Sequence, residues 1–316
     1  MDLKQLEYFV RVAEFGSFTR AAAFLGIAQP ALSRQVRLLE VELRQALLIR
    51  NGRGVVATDA GRLLLSHGLG ILQQVDHVKE ALEAQRGATV GRVVIAMPPS
   101  AGKLLAVSTV KAFQERFPKA ALGIVEGLSA HIAEWLQIGR VDIGLIYNPI
   151  PSPGMEIIPL MEEELYLMRP APASKKKSGR GKPVRLDELP RYPLVIPSRP
   201  HSIRMLIETQ MAHAGLRMNV QAEVDGISAI LDLVSQGVGY AVLPINALHT
   251  AQLESAIQAH PIVQPRIVSV LTLARSQQRP ATPLVTNTVD LLLELVKQHT
   301  SGSAAKPQSN LIDLLR

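Results

Sequence analysis

Residues 16–40, GSFTRAAAFLGIAQPALSRQVRLLE, constrain the chain more than any other stretch, because they fit two short helices meeting at a tight joint. Ser17 stands where a hydroxyl caps a helix start. Phe18, Ala21, Ala22 and Leu25 then recur at the 3.6-residue spacing of a buried face. The Ala21-Ala22-Ala23 triplet has no bulk, so another helix can cross closely. Gly26 lets the chain turn, and Pro30 suits the first position of a second helix, where no N–H is needed. In that helix Leu32, Val36 and Leu39 form an inward stripe, with Gln29, Ser33, Arg34 and Arg37 on the opposite side, near the N-terminal end. A helix with a dry back and a front of Gln, Ser and Arg fits a DNA major groove. Arg binds guanine bidentately, Gln pairs with adenine, and Ser donates or accepts. An ordinary three-helix packing unit with a solvated charged face has the same pattern, so the flanking residues matter.

Both flanks favour DNA. Over residues 2–14, Leu6, Phe9, Val10 and Ala13 predict an amphipathic helix that packs beneath the other two. After Glu40, the runs Leu47-Leu48-Ile49 and Val55-Val56 flank Asn51-Gly52-Arg53-Gly54, which predicts a β-hairpin, or wing, with Arg50 at its base and Arg53 at its tip. Between Ser17 and Arg53, the arginines Arg20, Arg34, Arg37, Arg44, Arg50 and Arg53 oppose only Glu40 and Glu42. That excess is an electrostatic footprint for phosphates, and a wing arginine can also enter a narrow minor groove. Arg44 is expected to be simply solvated. Thr58-Asp59 then caps a helix running to about residue 85. Its apolar positions Leu65, Leu69, Leu72, Val75, Val78 and Leu82, interrupted by Gly68 and Gly70, form a seam that wants a partner chain, unless the following domain covers it. Residues 87–89 read as a linker.

From Gly91 strands and helices alternate. Strands are expected at 92–96, 121–125, 141–147, 194–196, 220–224, 240–243 and 266–273, with helices ending near 117 and covering 129–138, 202–214, 227–235 and 284–297. This alternation predicts α/β sheets covered by helices, in two lobes separated near 160–164 and rejoined near 265. The basic stretch APASKKKSGRGKP at 171–183 reads as a surface loop, and the Ser/Ala/Gly/Pro-rich end from Thr300 as a loose tail whose Leu311-Ile312-Asp313-Leu314-Leu315 can dock as a short turn.

Several function classes lose support at this point. With no cysteine among 316 residues there is no disulfide framework, thiolate metal site or thiol nucleophile. The eight histidines are scattered, His67 and His77 being expected on the surface of the long helix, and no metal site is expected. No G-x-S-x-G, H-E-x-x-H, phosphate-binding loop or dinucleotide fingerprint is present, so no catalytic residue and no cofactor are expected and the chain is not read as an enzyme. Apolar runs are too short to cross a bilayer and the start has no signal-peptide pattern, so no membrane partner is expected and the location is taken as cytoplasmic. A net charge of +7 favours a polyanionic partner.

In α/β sheets ligands lie beyond the carboxyl ends of strands, near helix N-termini whose free N–H groups favour anions. That rule selects Ser100 and Ala101, Ser129, and Tyr147 from one lobe. From the other it selects Ser198, Arg199, His201 and Ser202, and Ile227 after Asp225-Gly226. Ser100 with Ser198 or Ser202 would hold a carboxylate, and Arg199 or His201 would pair its charge, so a small anionic effector is expected. The same serines can merely cap their helices, and an inward Asp225 would oppose a multiply charged anion.

Taken in order, Leu6-x-x-Phe9, Gly16-Ser17-Phe18-Thr19-x-Ala21-Ala22, Leu25, Gln29-Pro30-Ala31-Leu32-Ser33, Leu39-Glu40 and Thr58-x-Ala60-Gly61 closely resemble the LysR-type transcriptional regulators. The resemblance implies an N-terminal, mostly α winged helix-turn-helix (1–58), a linker helix that pairs subunits (59–87), and a C-terminal two-lobed α/β effector domain like the periplasmic binding proteins. Lobe I would comprise 92–161 and 267–299, lobe II 162–266, and a flexible tail 300–316. It also implies a homodimer or homotetramer on double-stranded DNA with an interrupted palindromic operator, and contact with RNA polymerase if the regulator activates. Gln29, Pro30, Ser33 and Arg34 would face bases, with Thr19 and Arg37 in the same DNA contact set and the wing around Arg50 and Arg53 on the backbone or minor groove. Residues 27–33, Leu47-Leu48-Ile49-Arg50 and residues 142–147 lean towards the nitrogen assimilation control regulators, although many family members have Gly and Phe where this chain has Arg44 and Leu48. That subgroup leaves open a regulator that needs no ligand. A solute-binding transport protein would share the two-lobed half but not the first ninety or so residues, and a DNA-architectural protein would not need the α/β half.

Overall fold

A three-helix head with a two-stranded wing begins the chain in the computed structural model, which describes residues 1–52, 54–84, 91–171, 180–253, 255–278 and 281–302. Helix α1 (Leu3–Phe15) starts with a capping box, in which Gln5 N donates to Asp2 Oδ1 at 2.7 Å and Asp2 N donates to Gln5 Oε1 at 3.2 Å. Helix α2 (Phe18–Leu25) starts at Ser17, whose Oγ accepts from Arg20 N at 3.4 Å, and ends at Gly26 in the left-handed region. Helix α3 (Gln29–Leu43) follows, with Pro30 its second residue and not its first. Strands β1 (Leu48–Asn51) and β2 (Gly54–Ala57) pair antiparallel from Leu48↔Ala57 to Asn51↔Gly54. Tyr8, Val12, Phe18, Ala21, Leu32 and Val36 form the core beneath them.

The long helix α4 (Asp59–Ala84) begins at Thr58, whose Oγ1 accepts from Gly61 N at 2.9 Å and donates to Ala46 O at 2.7 Å. Its course is set by small residues. A Cβ on Gly61 would lie 2.0 Å from Leu47 O, and one on Gly70 would lie 2.0 Å from Ile138 O. One on Gly68 would lie 3.0 Å from Leu6 and 3.2 Å from Val10. Gly68 and Gly70, expected to interrupt an apolar seam, are therefore the points where α4 is crossed. The seam itself divides. Leu65, Leu69 and Leu72 pack within the chain against Phe9, Val10, Leu39 and Leu47, because α1 covers that side. Among the described side chains of α4, Leu63, Ile71, Val78 and Leu82 are exposed large apolar positions. His67 is exposed as expected.

Beyond it lie β3 (Gly91–Met97), α5 (Pro99–Arg116), β4 (Ala120–Glu126), α6 (Ser129–Ile138), β5 (Ile143–Tyr147) and β6 (Met155–Pro170). Then come β7 (Val184–Arg185), β8 (Leu194–Ile196), α7 (Ser202–His213), β9 (Val220–Glu223), α8 (Ile227–Ser235) and β10 (Ala241–Pro244). The chain closes with α9 (Asn246–Ala251), β11 (Ile257–Val263), β12 (Val268–Ser276) and α10 (Pro283–Gly302). The main sheet runs β4-β3-β5-β12-β6-β11-β7, with β10 also on β6, and β8 pairs β9 separately. Strand β6 is the element both lobes share: through Glu164 it pairs with β12, and from Leu165 it pairs with β10 and β11. The sequence points only to a break near 160–164 and misses β6 and β11, because Glu156, Glu162, Glu163 and Glu164 give β6 a polar look. Lobe I is closed by Val93, Ile95, Leu105, Phe113, Ile143 and Leu292, and lobe II by Leu167, Leu194, Ile207, Leu231 and Leu243.

Arg53, the 87–89 linker, residues 172–179 of the basic insert and the tail from 303 lie outside the described residues. No helix among the described residues is long and apolar enough to cross a membrane, and no group of metal-ligating side chains occurs among them.

Candidate functional site

The first face of interest is the exposed side of α3. Leu32, Val36 and Leu39 are sealed in the core, which orients the opposite side outward. There Pro30, Arg34 and Arg37 are exposed and Gln29 and Ser33 half-buried; Thr19, on α2, is exposed alongside. Arg34 and Arg37 make no side-chain hydrogen bond or ion pair among the described residues, so both guanidiniums are open to an outside partner. The cap residue of α3 is Ala28, which offers no side-chain acceptor. Its first-turn N–H groups therefore remain available to an anion.

The wing is tied to this face. Arg50 Nη2 donates to Ser33 Oγ at 2.8 Å, and its guanidinium lies 4.5 Å from the Phe18 ring centroid. Two further arginines of the basic set serve the head locally, Arg20 through its side chain and Arg44, exposed as expected, through its backbone only. Arg20 donates to the Phe15 carbonyl, and Arg44 ends α3 in the left-handed region at φ 53°.

The second face lies between the lobes, where residues named from the sequence meet unequal fates. Ser100 is exposed in the first turn of α5 and hydrogen-bonds the Tyr147 hydroxyl at the carboxyl end of β5. Ala101 is fully buried in lobe I and can contribute only backbone. Ser129 is buried, and its Oγ accepts from Tyr147 N at 3.0 Å, so it holds the end of β5. Ser198 donates through N at 3.0 Å and through Oγ to Asp225 Oδ1; these hydrogen bonds hold the Asp225 carboxyl below its ordinary range. Ser202 begins α7 and Ile227 begins α8, both half-buried.

The two cations expected to pair an anion already have partners within the chain. Arg199 is forked onto Glu208, with Nε and Nη2 each 2.9 Å from a carboxylate oxygen. These bonds lower the Glu208 carboxyl and raise the Arg199 guanidinium. His201 turns inward: its Nδ1 accepts from Ile203 N at 3.2 Å to cap α7, and burial pushes its pKa down, favouring the neutral ring.

The charged side chain held in the joint is one the sequence does not single out. Glu163, 8% exposed, sits on β6 between exposed Glu162 and Glu164. Its Oε1 accepts from Asn246 Nδ2 of lobe II at 3.0 Å, and it hydrogen-bonds the Tyr147 hydroxyl of lobe I. Burial first, then the charge of Glu163, raise the Tyr147 pKa far above that of a free phenol, against a smaller lowering by Ser100. A strand's period of two would have turned Glu163 inward, had β6 been recognised as a strand.

Two family models cover most of the chain. A family model described as "Bacterial regulatory helix-turn-helix protein, lysR family" matches residues 3–62, and one described as "LysR substrate binding domain" matches residues 86–297. The nitrogen assimilation regulatory protein nac of Escherichia coli (strain K12) is 33% identical over 248 residues, covering 78% of this chain and 79% of nac. Full-length OxyR from Pseudomonas aeruginosa superposes with a TM-score of 0.69 at 22% identity, covering 98% of each chain. Full-length CbnR complexed with its target DNA superposes with a TM-score of 0.52 at 25% identity, covering 94% of this chain and all of that one.

Proposed function

Because the chain belongs to the LysR family and is a DNA-binding transcription regulator with an effector-binding domain, we propose that α3 and the wing form its operator-reading surface. Gln29, Pro30, Ser33 and Arg34 meet base edges in the major groove, and Thr19, Arg37, Arg50 and Arg53 meet the backbone or minor groove. The observation that carries this assignment is the pair of exposed guanidiniums, Arg34 and Arg37, on a helix whose other side is sealed by Leu32, Val36 and Leu39. CbnR is described in complex with its target DNA, which supports DNA as the partner here.

The chain divides at about residues 58 and 87, with the lobes exchanging near 161 and 266. Two or four copies assemble through α4 so that paired heads span an interrupted palindrome, and an activating member would also touch RNA polymerase. The effector site lies between the lobes, around Ser100, Tyr147, Ser198 and Ser202, with Ala101, Ser129, Arg199, His201 and Ile227 shaping its walls. Binding there shifts the arrangement of lobes or subunits and with it the spacing of the heads. Relatives are named as regulators, and no step of this scheme is catalytic.

The test is Arg34→Ala, scored by competition between a bound promoter fragment and scrambled DNA at physiological salt. Loss of one good bidentate base contact removes about 1–3 kcal/mol of discrimination. An unchanged preference for the promoter removes Arg34 from base reading.

A further inference from the structure

Glu163 is a buried carboxylate placed where both lobes and the shared strand converge. Tyr147 ends β5, Ser100 lies in the first turn of α5 after β3, and Asn246 begins α9 after β10. These are the strand ends beyond which α/β sheets bind ligands. Yet the groups bonded to Glu163, the Tyr147 hydroxyl and the Asn246 amide, are neutral donors. No Lys, Arg or His lies within ion-pairing distance of it among the described residues. A buried carboxylate without a cation is costly, and its cost falls when a cation arrives.

Cations of lobe II are engaged elsewhere. Arg199 is held by Glu208, Arg204 by Glu208 and Glu223, and Arg266 by Glu164. His201 uses Nδ1 to cap α7. An anion entering the joint would meet like charge from Glu163, whereas a protonated amine would find an acceptor already oriented by Tyr147 and Asn246.

We propose that the interlobe joint takes a small molecule bearing a protonated amino group, which pairs with Glu163. This rests on the reading that the effector binds between the lobes, and adds the chemical class. Asn246 and Tyr147 would then act as positioning residues, holding the carboxylate for the ligand and tying the charge to both lobes at once.

The test uses the full-length protein, with putrescine and ethanolamine as amine probes and succinate as the carboxylate control, followed by calorimetric titration and thermal melting at fixed ionic strength. In the wild type the amines bind and raise the melting temperature while succinate does neither. Glu163→Gln, which keeps the shape and the acceptor but not the charge, weakens amine binding at least tenfold, and Ser100→Trp, which fills the joint, abolishes it. The wild-type contrast between amine and succinate decides the matter even if a variant folds poorly. Succinate binding that Ser100→Trp removes would leave the effector site in the joint and overturn the amine class. Amine binding that ignores both substitutions, or no binding by either class, overturns the assignment to this joint altogether.

Discussion

Arg50 on the wing donates to Ser33 on α3 at 2.8 Å while its guanidinium lies over the Phe18 ring. One side chain thus joins the wing, α3 and the core of the head. Arg50→Ala should lower the stability of the head by about 1 kcal/mol, since an exposed cation–π contact contributes about 0.5–1 kcal/mol. It should also weaken binding to every DNA sequence and reduce the slope of log affinity against log salt by about one. Filter binding over a salt series checks this. A weaker complex with an unchanged slope would assign Arg50 to bracing the wing without touching phosphate.

In the proposed assembly, copies pair through the side of α4 that the chain leaves uncovered. Val78 is 61% exposed and Leu63 is 63% exposed, one near each end of the helix, whereas Leu65, Leu69 and Leu72 are packed against α1 and its neighbours. Val78→Asp should therefore dissociate the oligomer and weaken operator binding while leaving the melting of the separated chain nearly unchanged, because exposed positions tolerate charge. Sedimentation at several concentrations measures it. An assembly of unchanged mass would place the subunit interface elsewhere.

The contact between α4 and lobe I combines a close backbone approach with a side-chain pair. Gly70 faces Ile138 O, and one turn on, Gln73 Nε2 donates to both Asp142 oxygens at 3.0 and 2.9 Å, while Asp142 Oδ2 accepts from Val94 N at 2.8 Å. Gly→Ala inside a helix ordinarily gains about 1 kcal/mol. Here the added Cβ would lie 2.0 Å from a carbonyl oxygen that cannot swing aside. Overpacking of that kind costs about 1–3 kcal/mol. Gly70→Ala should thus lower the melting temperature and loosen α4 from lobe I, seen as faster amide exchange around residues 138–142. Equal or greater stability would mean that α4 stands away from lobe I in solution.

Acid should destabilise lobe II through His201. Burial lowers its pKa from the ordinary 6.5, so the unfolded chain takes up the proton first. The stability associated with the neutral ring is complete above about pH 6.5 and is lost as pH falls from there through the folded-state value. Protonation also removes the Nδ1 acceptor that caps α7. His201→Asn, which keeps a capping acceptor and cannot titrate, should flatten the decline in melting temperature between about pH 6.5 and pH 5. It will not abolish the decline, because burial lowers His260 in the same direction. An identical pH profile in wild type and variant would exclude His201 as its source.

Much of this architecture is legible one residue at a time. The spacing of Leu32, Val36 and Leu39, the glycine joint at Gly26 and the turn between Ile49 and Val55 are local patterns, set by neighbours two to four positions apart or by the needs of a single turn. They suffice to predict the head, the long helix, the alternating α/β half and the family. The same locality explains what stays hidden. Nothing around Arg199 shows that Glu208 will hold it, and nothing around Leu65 shows that α1 covers it while Leu63 is left outside. Glu163 looks like one member of an acidic run until β6 pairs with its neighbours. Its bond to Asn246 spans 83 residues, a partnership that only the meeting of the two lobes creates. The sequence by itself determined the head, the long helix and most of the alternating strands and helices, but not β6 or β11. The tertiary structure decided which charges were already paired and which carboxylate was carried into the joint, because pairing depends on distances between segments that no local pattern records.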